Sequence, residues 1–156
     1  MKRIRYAVLA LVFITVSCAL ESKFSLPKNE TIDSNLLGTW YSKNDQNSED
    51  WVRIDALDEF TYKLTFNDDS LTAFTTTING HRIVNIVDNR NDTPNAFYGF
   101  SVKKNVLEIM EVDENLVEED FKSQKELIEF FNKNVDRPDF FVNPEQYKRK
   151  KSSNYF

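Results

Sequence analysis

The chain has one cysteine and one histidine in 156 residues. A lone cysteine excludes an internal disulfide, a disulfide-stapled scaffold and a four-cysteine zinc site, and one histidine gives no basis for a His-based metal cluster. Glycine and proline are scarce, at 3 and 4 residues, which excludes collagen-like and low-complexity chains. Positive charge is in deficit: 20 Lys and Arg stand against 25 Asp and Glu, for a formal net charge of −5. That balance argues against nucleic acid as a partner, because phosphate binding needs a basic face. A long apolar run is also missing. The longest, Tyr6 to Val16, is about half of what a transmembrane helix requires. What the chain does have is bulk, in 13 Phe, 6 Tyr and 2 Trp, enough apolar surface for the core of a single domain.

The short apolar run has a specific context. Lys2, Arg3 and Arg5 precede it and small residues close it, which is the pattern of a secretory leader. Its end, "ITVSC" from Ile14 to Cys18, resembles the bacterial lipobox. There, small and apolar residues lead to a cysteine that is lipidated and becomes the new N-terminus. The resemblance implies lipidation at Cys18 and attachment to a membrane through acyl chains. Each methylene buried in the bilayer contributes about 0.8 kcal/mol, so several chains hold firmly. Loss of residues 1–17 removes Lys2, Arg3 and Arg5 and leaves a more acidic chain, so the lipid rather than surface charge has to do the holding. Ala19 stands where inner-membrane lipoproteins carry an aspartate. The implied location is therefore the cell envelope, at the outer membrane.

Residues 18–35 are polar and aperiodic and read as a lipidated cysteine followed by a flexible tether. From Leu36 short strands alternate with turn residues: "LLGTWYS", "WVRIDAL", "FTYKLTF", "LTAFTTTI", "HRIVNIV", "AFYGFSV", "VLEIMEV" and "LVEEDFK". In "FTYKLTF" the residues Phe60, Tyr62, Leu64 and Phe66 share one face. Asn79-Gly80 predicts a type I′ hairpin turn, which needs positive φ at both central residues. About eight short strands without an intervening helix predict an antiparallel meander, closed as an up-and-down β-barrel so that no edge is left open.

One helix is expected after the strands. Ser123 and Glu126 form the S-x-x-E capping box. Leu127, Phe130, Phe131 and Val135 line one side, and Pro138 stops it. Such a helix is too short to stand alone, so its Phe-rich side should dock on the barrel. "RIVNIV" and "VLEIMEV" are apolar on both faces, as strands under a helix need to be. The expected organisation is a leader at 1–17, lipidated cysteine and tether at 18–35, barrel with C-terminal helix at 36–147, and a basic tail at 148–156.

With its "GTW" at Gly38 to Trp40, the meander and the helix, the chain is similar to small lipocalin-like lipoproteins of bacteria. The parts that match are Cys18, Leu36 to Trp40, Phe121 to Phe131, and Tyr147 with Arg149. The resemblance implies a mostly β fold in which Trp40 plugs one end of the barrel. The chain lacks the T-D-Y motif of lipocalins and any disulfide, and its abundant Phe suits a barrel filled by its own side chains.

Candidate chemistry is thin. His81 sits beside the Asn-Gly turn with no nucleophile to activate and no G-x-S-x-G elbow in the chain, so no enzyme activity is expected. Asp88, Asn89, Asn91 and Asp92 cluster in one loop but lack calcium-loop spacing. Asp113, Glu114, Glu118, Glu119 and Asp120 form an acidic stretch that reads as a solvated rim, and "KRKK" at Lys148 to Lys151 reads as an exposed basic tail. No metal or cofactor is expected. Trp40, Tyr62, Phe66, Tyr98 and Phe100 are the candidate ligand-lining residues, since pockets favour aromatic walls. Two functions fit this reading. One is a barrel that binds a small hydrophobic ligand. The other is a filled barrel that acts as a protein-interaction module, an accessory subunit or inhibitor, towards another envelope protein.

Overall fold

The computed structural model describes residues 19–44, 50–67, 69–88 and 94–149. The leader, Cys18, Asn89, Asn91, Asp92, Lys150 and Lys151 lie outside the described residues. Alternation builds a barrel wall, as expected. The strands are β1 (Leu20–Ser22), β2 (Gly38–Ser42), β3 (Trp51–Ala56), β4 (Tyr62–Phe66), β5 (Asp69–Ile78), β6 (His81–Val87), β7 (Asn95–Lys103), β8 (Val106–Val112) and β9 (Phe141–Arg149). From β2 to β8 each pairs antiparallel with the next. Asn79 and Gly80 have φ of 51° and 84°, the conformation a type I′ turn demands.

The last wall strand is not the expected one. "LVEEDFK" forms no strand; Glu114–Leu116 is instead a short 3-10 helix, capped by the Asp113 side chain, which accepts from the Asn115 amide. Consecutive acidic residues there offer no apolar face to a barrel. The wall is completed by β9, which runs into the segment expected as a basic tail, so Lys148 and Arg149 belong to the sheet. β9 pairs with β8 on one side and β2 on the other, closing an eight-stranded barrel. The helix α1 (Gln124–Asn134) therefore lies between the last two wall strands. Pro144 disguises β9 in the sequence, because proline is tolerated in a strand only at an edge or irregularity. It sits where the register shifts between Ile109 and Glu111, beside Asn143 with φ of 50°.

Followed strand by strand, the pairings return to β2 roughly a dozen residues out of step. For eight strands that stagger implies a steep tilt and an interior of the size that side chains fill or one small ligand occupies. One end is closed by the 3-10 helix Ser34–Leu36, which buries Leu36 under the barrel. The last residues of β2, β4, β6 and β8 mark the other end.

The segment expected as a flexible tether is packed. β1 pairs with β7, matching Leu20 to Phe97. Leu20 and Leu26 are buried at 4% and 1% exposure. Asn85, wholly buried, accepts from the Leu26 amide and donates to Asn95 Oδ1, each at 3.0 Å; Asn95 in turn donates to the Ser22 carbonyl. Further along, Thr76 Oγ1 donates to the Pro27 carbonyl and Lys28 Nζ to Thr61 Oγ1. Sparse apolar residues without a period hid this strap in the sequence, and its side-chain partners lie far along the chain.

The helix docks beside the strap. Ser123 Oγ accepts from the Glu126 amide, and Glu126 reaches back to the Lys122 amide. Leu127, Phe131 and Val135 are buried against Phe74, Ile78, Ile83 and Phe97 on the outer face of the sheet. Phe131 meets Phe97 edge-on, with ring centroids 5.6 Å apart, and packs on Phe140 at 5.7 Å; such pairs add about 0.5–1.5 kcal/mol each beyond area burial. Gly99 lies under the Phe141 ring, where a Cβ would overlap it. Most of the phenylalanine is thus spent outside the wall. The expectation that Phe fills the barrel fails because the helix and strap make the outer face of β5, β6 and β7 the drier one.

Candidate functional site

The interior divides at mid-height. Its closed half is a solid floor. Trp40, with no exposed surface, donates from Nε1 to the Leu36 carbonyl at 2.8 Å. Arg149 lies over its indole, 4.6 Å from the ring, and bonds the Asn35 carbonyl. Tyr62 is buried, and its hydroxyl accepts from the Asp33 amide at 2.7 Å. Asp33 also pairs with Arg82 at 2.8 Å, and Arg82 lies over the Phe100 ring, 4.5 Å from its centroid. Burial pushes the Asp33 carboxyl up, but the Asn35 amide and the Arg82 guanidinium outweigh it and hold it below the usual range. The chain thus caps its own barrel with two arginines, each lying over an aromatic ring.

The upper half is different. Registers pair Val84 with Tyr98, Ile86 with Ala96 and Phe100 with Ile109, and all of these point inward. Yet Val52, Phe66, Leu71, Val84, Ile86, Tyr98, Ile109 and Tyr147 are each only half-buried. Their neighbours on the outer face, Ile83, Asn85 and Phe97, have no exposed surface. Along β6 and β7 the inward residues are wetter than the outward ones. Mid-strand apolar side chains that face inward and still meet solvent describe a cup above the floor.

The candidate lining residues separate accordingly. Phe66 and Tyr98 stand in the wall of the cup. Trp40, Tyr62 and Phe100 form the floor and are engaged with backbone or with arginine. The sequence reading missed the aliphatic wall at Val84, Ile86 and Ile109, and it missed Tyr147. Strict alternation with Phe66 and Tyr98 was the signal for them; Tyr147 was hidden with β9. The wall also carries Glu111, opposite Tyr98, and Glu145, opposite Ile109. Tyr147 donates to Glu145 Oε2 at 3.2 Å. Burial pushes the Tyr147 phenol far up, and the charges of Glu145 and Asp50 push it further.

The other candidates lie outside the cup. His81 Nε2 is 3.1 Å from Asp136 Oδ1 on the outer surface, with its ring against Phe141. Glu114, Glu118, Glu119 and Asp120 are exposed, and Glu119 pairs with Lys122 at 3.5 Å. Among the described residues no three His, Cys, Asp or Glu side chains converge as a metal site. The fold is an eight-stranded up-and-down barrel with one docked helix, an architecture compatible with the lipocalin-like class. Comparison with family models, curated proteins and solved structures finds no match to this chain.

Proposed function

We propose that this chain is a lipid-anchored envelope lipoprotein, attached through Cys18 at the outer membrane, whose barrel takes a small and largely apolar molecule at the end opposite its 3-10 floor, without catalysis. One observation carries the ligand reading: the inward apolar residues Val84, Ile86, Tyr98 and Ile109 are only half-buried, and an eight-stranded barrel can hold one small ligand. A concave, pre-formed apolar wall with a few polar groups is the usual form of a small-molecule site. The anchor rests on the leader and the lipobox-like "ITVSC". The competing interaction-module reading asks for a filled barrel and an exposed apolar patch. Against that reading, the inward wall residues are only half-buried, and among the described residues the exposed large apolar side chain is Leu57, at 56%.

The test is native mass spectrometry on the chain extracted from its own host's envelope in mild detergent, set against its denatured mass. The expected result is a small adduct that survives gentle desolvation and is lost on denaturation, together with a covalent lipid mass on the N-terminal peptide. A bare native mass refutes the ligand reading. An N-terminal peptide without lipid refutes the anchor.

A further inference from the structure

The cup has a sign as well as a shape. Among the described residues, the cationic groups that face the interior belong to the floor: Arg82 is paired with Asp33, and Arg149 is held by the Trp40 ring and the Asn35 carbonyl. Above them the inward-facing charges are carboxylates. Glu111 accepts from Asn143 Nδ2 and Glu145 from the Tyr147 hydroxyl, so both are oriented by neutral donors and neither is neutralised by those bonds. Asp50 is close enough to act on Tyr147, whose phenol already resists ionisation because of burial. A concavity with low-dielectric walls focuses the field of such charges and concentrates the opposite sign within it. Aromatic faces at Phe66, Tyr98 and Tyr147 add a further preference for cations.

We propose that the occupant of the cup is an amphipathic organic cation: an apolar body lying on Val84, Ile86, Tyr98 and Ile109, with an ammonium group held near Glu111 and Glu145. This rests on the ligand reading above and narrows it. A fatty acid is the wrong charge, because its carboxylate meets Glu111 and Glu145 while Arg82 is already paired with Asp33 and Arg149 with the Trp40 ring and the Asn35 carbonyl.

The probe set is dodecylamine, dodecanoate and dodecanol at concentrations below micelle formation, each displacing a neutral fluorescent naphthylamine dye from the full chain. Dodecylamine is expected to displace the dye at about tenfold lower concentration than dodecanoate, equivalent to about 1.4 kcal/mol. The gap should narrow in roughly half-molar salt, where partly exposed charges are screened. It should close in Glu111→Gln/Glu145→Gln and persist in Glu108→Gln, which alters an outward-facing carboxylate. Equal displacement by amine and acid, or a preference for the acid, overturns the cation proposal while the ligand reading stands. A preference that survives both high salt and the double substitution also overturns it. Failure of the dye and all three amphiphiles to bind overturns both. The salt series on the unaltered chain keeps the test decisive even when the double variant does not fold.

Discussion

Replacing Asn85 with leucine tests whether the N-terminal strap is part of the folded domain. The Asn85 side chain is wholly buried and binds the Leu26 amide and the Asn95 carboxamide. Leucine is close in size but makes neither bond. Leu26 is itself 1% exposed, so its amide would stay buried without an acceptor, at a cost of about 1–3 kcal/mol. The loss at Asn95 is smaller, about 1 kcal/mol, because that side chain still donates to the Ser22 carbonyl. Leucine regains about 1 kcal/mol by placing apolar rather than polar atoms against Leu26 and Phe97. The expected net effect is a destabilisation of about 1–3 kcal/mol, a substantial part of the 5–15 kcal/mol typical of a domain. Urea unfolding followed by tryptophan fluorescence measures that total. Hydrogen exchange at the Leu26 amide measures the local part, and its protection should fall by about tenfold for each 1.4 kcal/mol lost. A shift under about 0.5 kcal/mol with unchanged Leu26 protection would refute the reasoning and return residues 19–35 to a free tether.

Gly99→Ala should cost about 1–3 kcal/mol by overpacking, because the new methyl overlaps the Phe141 ring; thermal unfolding reads this, and Phe141→Ala in the same chain should relieve most of it. Asp33 has a folded pKa below its unfolded value, so the stability it contributes is present above about pH 4 and lost as pH falls through the folded value. Acid unfolding of Asp33→Asn should accordingly be less pH-dependent below about pH 4, and identical acid limbs for the two proteins would sink that account. Tyr147 has the opposite sign: its folded pKa lies above the unfolded one, so its contribution is full below about pH 10 and lost as pH rises beyond. Tyr147→Phe should flatten the alkaline limb of the stability profile, and ultraviolet titration of the native chain should show one phenol ionising only on unfolding.

Much of the wall was legible because its code is local. "FTYKLTF" alternates cleanly, and Asn79-Gly80 fixes a hairpin without reference to anything distant. β9 was not legible. Its inward positions are Val142, Glu145, Tyr147 and Arg149, a set without apolar alternation, and Pro144 argued against a strand. Its pairing is decided by β2 and β8, whose free edges no sequence window contains. The strap failed in the same way, since Asn85 and Thr76 hold it from far along the chain. Composition gave the amount of phenylalanine but not its side of the wall; the Phe131 helix face decides that by covering Phe97. Within the site, alternation placed Phe66, Tyr98 and Phe100 inside. It could not say that Phe100 lies in the floor while Tyr98 lies in the wall, because depth along a tilted barrel depends on the accumulated stagger of every strand.

The strap also sets how much slack the molecule has. A free segment of that length would let a domain wander roughly 20–25 Å from its anchor. Here Ala19 is already buried, at 8% exposure, so one peptide unit of about 3.8 Å separates Cys18 from the folded body. With lipid on that cysteine the barrel would be moored rather than leashed. The flank where β1 pairs with the start of β7 would rest on the bilayer, the cup would keep a fixed height and bearing above the headgroups, and a molecule leaving the membrane would have a short, constant path to it instead of one that changes as the domain swings.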